Sequence, residues 1–243
     1  MWVEPQPVPV CGSGLIAPIW HGSANFGVRR ACAVPELVVL HYTAMDSAEA
    51  ALARLCDPEF EVSAHYLIGE DGTCWQMVAD EMRAWHAGAG QWGGRGDVNS
   101  RSIGIELANR GTHPFSEPQM AVLEALLARI LAEHAIAPKG VIGHSDMAPA
   151  RKFDPGARFD WCRLARSGVS VWSDGASDAT GVSASVSSTW ADHAARFGYG
   201  FDACDAGAVL QAFRDRFRPG VVGPVDEDDV AIMADLATRF PAG

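Results

Sequence analysis

The sequence predicts an α/β domain followed by a small helical unit, and three observations carry that prediction. Short aliphatic runs are bounded by turn residues, longer stretches between them carry apolar residues at helical spacing, and residues able to be buried become scarce after Trp172.

Strands are predicted over 37–41, "SAHYLIG" at 63–69, "CWQMV" at 74–78, "SIGIELA" at 102–108 and "GVIGH" at 140–144. The "EDGT" at 70–73 joins the second to the third as a hairpin. A helix is expected over 46–56, with Asp46 or Ser47 as its cap. Another is expected over 116–135, where Met120, Leu123, Leu127, Ile130 and Leu131 share a face, Ser116 is the N-cap and Pro118 lies in the first turn.

Residues 1–34 open with a stretch rich in Pro, Gly and Ser and are expected to form an extended arm laid over a main domain at 35–172. The segment "SDGASDATGVSASVSS" at 173–188 has almost nothing to bury and reads as a linker. In 189–243, Val209, Leu210, Phe213 and Phe217 fall on one face, and Asp226 or Glu227 can cap a last helix. A three-helix unit of about 55 residues is too small to stand well alone and is expected to lean on the main domain.

The 243 residues are 48% hydrophobic and 20% charged, the profile of a soluble globular chain. A formal net charge of −11 argues against binding to nucleic acid or to anionic membrane surfaces. No apolar run is long enough to span a membrane, and the chain is expected to act as a monomer. "MWVEPQPVPVCGSG" lacks a basic and then apolar leader, which points to the cytoplasm. The six cysteines are scattered without a C-x-x-C pair and read as free thiols, which also excludes a cysteine-rich structural metal site.

His41 follows the aliphatic run "VVL", and His144 ends "VIGH" in the same way; Asp154 comes ten positions later in a Pro-Gly turn. Separately, each has an ordinary explanation as a packed histidine or a turn aspartate. Together, two imidazoles and a carboxylate are the ligand set of a catalytic zinc with one open position. Such a centre needs a base and an oxyanion holder, for which Glu106 in "SIGIEL" and Lys152 are candidates. A carboxylate in so apolar a strand requires a partner or a task, whereas a lone lysine is more often a solvated one. Trp85 and His86 in "RAWHAG" suit a sugar or peptide groove, or else pack their loop. His65 is either a third histidine near the metal or a buried structural one.

The motifs "LVVLHYT", "VSAHYLI", "RAWHAG", "RSIGIELANRG", "VIGHSDMAP" and "RKFDPG", in this order across about residues 35 to 165, resemble the zinc-dependent N-acetylmuramoyl-L-alanine amidases of the amidase-2 family, related in fold to peptidoglycan recognition proteins. The C-terminal stretch resembles the small helical peptidoglycan-binding module of the AmiD-like branch. The resemblance implies a central mixed β-sheet flanked by helices and a catalytic domain at 35–172. It further implies Zn2+ held by His41, His144 and Asp154, with Glu106 as general base, Lys152 on the oxyanion, and Trp85, His86, His65 and Asn99 toward the substrate. The implied reaction hydrolyses the amide between N-acetylmuramic acid, or its anhydro form, and L-alanine of peptidoglycan stem peptides. Glu61 and Asp97 stand where the cytosolic recycling branch has arginines associated with the stem-peptide carboxylates, and the C-terminal module points instead to the cell envelope. Two alternatives are a catalytically silent peptidoglycan sensor and a metal-free adaptor; sensors commonly lack a ligand, and all five residues are present here.

Overall fold

The computed structural model describes residues 17–31, 34–173, 186–201 and 206–242. Strands β1 (Ile19–Trp20), β3 (Leu37–Tyr42), β4 (Tyr66–Ile68), β5 (Cys74–Gln76), β7 (Ser102–Leu107) and β8 (Val141–Gly143) form one sheet in the order β1-β5-β4-β7-β3-β8. The sheet is mixed: β4, β7, β3 and β8 run parallel, β5 runs antiparallel to β4, and β1 lies parallel to β5. A second ribbon pairs β2 (Phe26–Val28) with β6 (Met82–Ala84).

All five expected strands exist; four are trimmed at their ends, and β3 runs one residue further than expected, to Tyr42. Residues 19–20 and 26–28, expected within an arm, are strands, too short for alternation to mark them. Residues 1–16 of that arm lie outside the described residues. His144 does not end a strand. It opens the short helix α4 (His144–Met147), because the Asp146 carboxylate accepts the Gly143 N–H and turns the chain there.

The longer helices begin where polar caps satisfy free N–H groups. Ser47 accepts from Ala50 at the start of α1 (Ala48–Cys56), and Ser116 accepts from Gln119 at the start of α3 (Glu117–His134). Helices α2 (Val98–Arg101) and α5 (Trp161–Arg166) are short, and α6 (Val186–Phe197), α7 (Ala206–Phe217) and α8 (Glu227–Arg239) make the C-terminal unit, with Asp226 capping α8. Of the stretch expected as a linker, 174–185 lies outside the described residues and 186–188 already belongs to α6.

The period of two along β3 divides the molecule. Val38 and Leu40 face α3 in a cluster with Ile103, Ile105, Leu123 and Leu127. Leu37 and Val39 face the other way, into a cluster that runs unbroken through Trp92, Ile142 and Met147 to Trp190, Phe197, Phe213, Phe217 and Met233. The helical unit therefore shares a core with the main domain, and His41 points to that shared side of the sheet. Cys56, Cys74 and Cys162 are free thiols, while Cys11, Cys32 and Cys204 lie outside the described residues. Among the described residues no helix is long and apolar enough to cross a membrane.

Leu127 is fully buried between α3 and the sheet. Leu127→Ala should cost about 2–5 kcal/mol by leaving a cavity that the rigid sheet cannot close, measured as a lowered urea midpoint at unchanged slope. A loss below ~1 kcal/mol would show that this face is not tightly packed.

Candidate metal centre

Three side chains meet at the C-terminal end of the parallel strands. His41 ends the aliphatic run of β3, His144 opens α4, and Asp154 reaches the same point from the following loop. The Ser145 N–H donates to the Asp154 carbonyl at 2.9 Å and locks the loop to α4. His41 Nδ1 lies 2.9 Å from His144 Nδ1, and each lies 3.0 Å from Asp154 Oδ2.

The far side of each imidazole determines what it offers at this point. His144 Nε2 is 3.0 Å from the Ala87 carbonyl, which only accepts, so that nitrogen carries a proton and the neutral form of the ring presents a lone pair at Nδ1. Ser102 Oγ donates to the Val98 carbonyl and so accepts from His86 Nε2, while His86 Nδ1 accepts from His41 Nε2 at 3.0 Å. His41 Nδ1 is then unprotonated as well. Burial foremost, then the neighbouring His144 and Lys152, lower the His41 pKa to about 4, opposed by Asp154, and keep the ring neutral at ordinary pH. Two neutral nitrogens and one carboxylate oxygen, all buried and with lone pairs converging, are satisfied by a cation, and this donor set is that of an open catalytic zinc site.

Glu106 stands in register with His41 on the adjacent strand, so both side chains rise from one face of the sheet. Its Oε2 is out of solvent contact and has no hydrogen-bond partner. Burial, and then the Asp154 charge, push its carboxyl up to about 8 against the pull of Lys152. Lys152 lines the cleft above the three donors, and its charge acts on both His41 and Glu106. The cleft encloses about 350 Å3 and has an apolar rim that includes Trp85, Val62 and Phe153, the last 66% exposed.

The residues expected toward the substrate divide. Trp85 lines the cleft. His86 also reaches it, but its ring nitrogens are engaged by His41 and Ser102, so it supports a donor instead of offering a free contact. His65 and Asn99, expected toward the substrate, are not among the residues that line the cleft. His65 is fully buried, accepts the Gly104 N–H on Nδ1 and meets the Met82 carbonyl with Nε2. Asn99 Oδ1 accepts the N–H groups of His86 and Ala87 and shapes their loop.

Sequence reasoning did not find Ser102, the Ala87 carbonyl or Arg151, whose guanidinium donates to that carbonyl at 2.9 Å. A carbonyl leaves no trace in residue identity. Gly104 was a usable signal: a Cβ there would stand 2.4 Å from His86 Cγ, so the glycine lets the ring lie on β7.

These shifts give the metal-free protein a defined pH response. The unfolded Glu106 titrates near its model value of 4.5 and the folded one near 8, so its contribution is complete below about pH 4.5 and is lost as pH rises to about 8. His41 and His65, lowered from 6.5 to about 4, act oppositely, adding stability as pH rises through that window. Above about pH 7 the histidines are largely neutral in both states and the Glu106 slope prevails. Chelator-treated wild type should therefore lose ~1 kcal/mol more than Glu106→Gln between pH 7 and 8. Urea titrations across that range check it, and an equal loss in the variant excludes Glu106 as its source.

Comparison with known proteins agrees with this geometry. Residues 31–157 match the amidase-2 family model, described as N-acetylmuramoyl-L-alanine amidase. N-acetylmuramoyl-L-alanine amidase AmiD of Escherichia coli (strain K12) is 34% identical over 232 residues, covering 84% of this chain and 83% of that protein. The 1,6-anhydro-N-acetylmuramyl-L-alanine amidase AmpD of the same strain is 35% identical over 159 residues, covering 58% of this chain and 87% of its own length. The solved complex of E. coli AmiD with anhydro-N-acetylmuramic acid-L-Ala-D-gamma-Glu-L-Lys superimposes with a TM-score of 0.75 at 34% identity, covering 87% of this chain and 92% of that one. The chain belongs to the amidase-2 family and is an N-acetylmuramoyl-L-alanine amidase.

Proposed function

We propose that this enzyme is a zinc amidase whose metal is held by His41, His144 and Asp154 and whose proton carrier is Glu106. The convergence of three unprotonated donor atoms beside the unpartnered Glu106 Oε2 carries the reading. The bond cleaved joins the lactyl group of N-acetylmuramic acid, or its anhydro form, to L-alanine of a stem peptide. Zinc, when bound, supplies a Lewis acid that activates water and polarises the carbonyl.

The chain's own residues do the rest. Glu106 takes a proton from the attacking water and returns it to the departing alanine nitrogen, a task open to a carboxylate oxygen that no other group engages. Lys152 stabilises the negative charge that develops on the carbonyl oxygen. Trp85 and Phe153 supply an apolar wall for the sugar or the lactyl group. Glu61 is exposed, and the Asp97 carboxylate is taken by Arg83 at 2.9 Å, so neither position offers a cation to stem-peptide carboxylates. We accordingly propose a substrate range broader than small anhydro-muropeptides, with 35–172 as the catalytic domain and 189–243 as the part that meets peptidoglycan.

Glu106→Gln should keep about one zinc per chain and lose at least ~100-fold in kcat, whereas His144→Ala should lose both metal and turnover. Metal analysis and mass spectrometry of products from intact sacculi and from anhydro-muropeptides read both. Near-normal kcat in Glu106→Gln would remove Glu106 as the proton carrier, and wild-type protein with below about 0.2 zinc per chain would end the zinc reading.

A further inference from the structure

The helical unit reaches the metal centre through one buried carboxylate. Asp146 lies two residues after His144 on α4 and is 1% exposed. Its Oδ2 accepts the Gly143 N–H at 2.8 Å and Arg216 Nη1 at 2.6 Å, while its Oδ1 accepts the Tyr199 hydroxyl at 2.6 Å. Arg216 belongs to α7 and Tyr199 follows α6, so both partners come from the C-terminal unit.

Arg216 also donates from Nη2 to the Val141 carbonyl at 3.0 Å. Its planar fork thus grips β8 on one side of the junction and α4 on the other, and His144 sits at that junction. The guanidinium lies 4.3 Å from the Trp161 ring and 4.8 Å from the Phe217 ring and is almost fully buried. A guanidinium and a carboxylate so deep are costly to desolvate and add little net stability over an apolar pair, so their presence calls for another reason. Fixing the entry angle of α4 is such a reason, because α4 has four residues and cannot hold its own orientation.

We infer that Arg216 and Tyr199 are positioning residues for the metal centre: through Asp146 they set the backbone from which His144 presents Nδ1. The inference rests on the zinc reading above. It gives the helical unit a task inside the reaction centre, separate from any contact with peptidoglycan. A matched control exists in the same unit, since Arg214 forms an equally buried pair with Asp229 and its remaining bonds go to the Gly223 and Pro224 carbonyls, none of them near His144.

The test compares the full chain with Tyr199→Phe, Arg216→Lys and Arg214→Lys. Zinc affinity is measured by competition with a chelator, and the visible absorption of the cobalt-substituted protein is recorded. Tyr199→Phe and Arg216→Lys should weaken zinc binding by about 10-fold or more and change the cobalt spectrum, with kcat falling more than KM rises. Arg214→Lys should lower thermal stability but leave affinity and spectrum as in wild type. If Arg216→Lys does not fold, Tyr199→Phe, which removes a single hydroxyl, decides alone. Wild-type affinity and spectrum in Tyr199→Phe overturn the inference, as does an equal loss in Arg214→Lys, which would mark a general effect of stability. Wild-type protein that takes up neither zinc nor cobalt overturns the metal centre itself, and the positioning role with it.

Discussion

Three lone pairs within about hydrogen-bond distance of one another, with no proton between them, are the constraint on which the structure depends. His41 Nδ1, His144 Nδ1 and Asp154 Oδ2 cannot be brought this close by their own attraction. The surroundings impose the arrangement. A parallel strand buried on both sides of its aliphatic run fixes His41, a backbone hydrogen bond from Ser145 couples Asp154 to α4, and the His86 ring and the Ala87 carbonyl occupy the rear of the His41 and His144 imidazoles. Rigidity of this kind is what a reactive metal site needs from its scaffold.

The electrostatic setting follows from the same placement. The strands that present the donors are apolar and exclude water, so His41 and Glu106 at their ends are shifted by burial before they are shifted by any neighbour. A neutral His41 and a reluctant Glu106 carboxyl are the outcome. Lys152 opposes part of this at Glu106, which leaves that side chain able to exchange a proton near neutral pH.

Much of this was legible in the sequence, and the reason is periodicity. Alternation in "SIGIEL" placed Glu106 on the face of Gly104 and Ser102, and the structure has it so. The cap at Ser116 marked a helix start to the residue, and of the two candidates Asp46 and Ser47 the cap of α1 is Ser47. What could not be read depends on groups without a one-letter code or on distances along the chain. The Ala87 carbonyl, the two-residue pairing of β1 and the contact from Asp146 to Arg216, seventy positions later, are of that kind. The backbone contacts of His65 and Asn99 were equally hidden, because a histidine beside a strand and an asparagine in a loop look the same whether they face a cleft or the backbone behind it.

One consequence concerns the traffic of protons. The line from His41 through His86 and Ser102 stops at the Val98 carbonyl, and that from His144 stops at the Ala87 carbonyl. Neither carbonyl can pass a proton onward, so both lines end behind the centre and lead to no second exit. Protons can reach the three donors only from the side of the cleft, which Glu106, in register with His41, also lines.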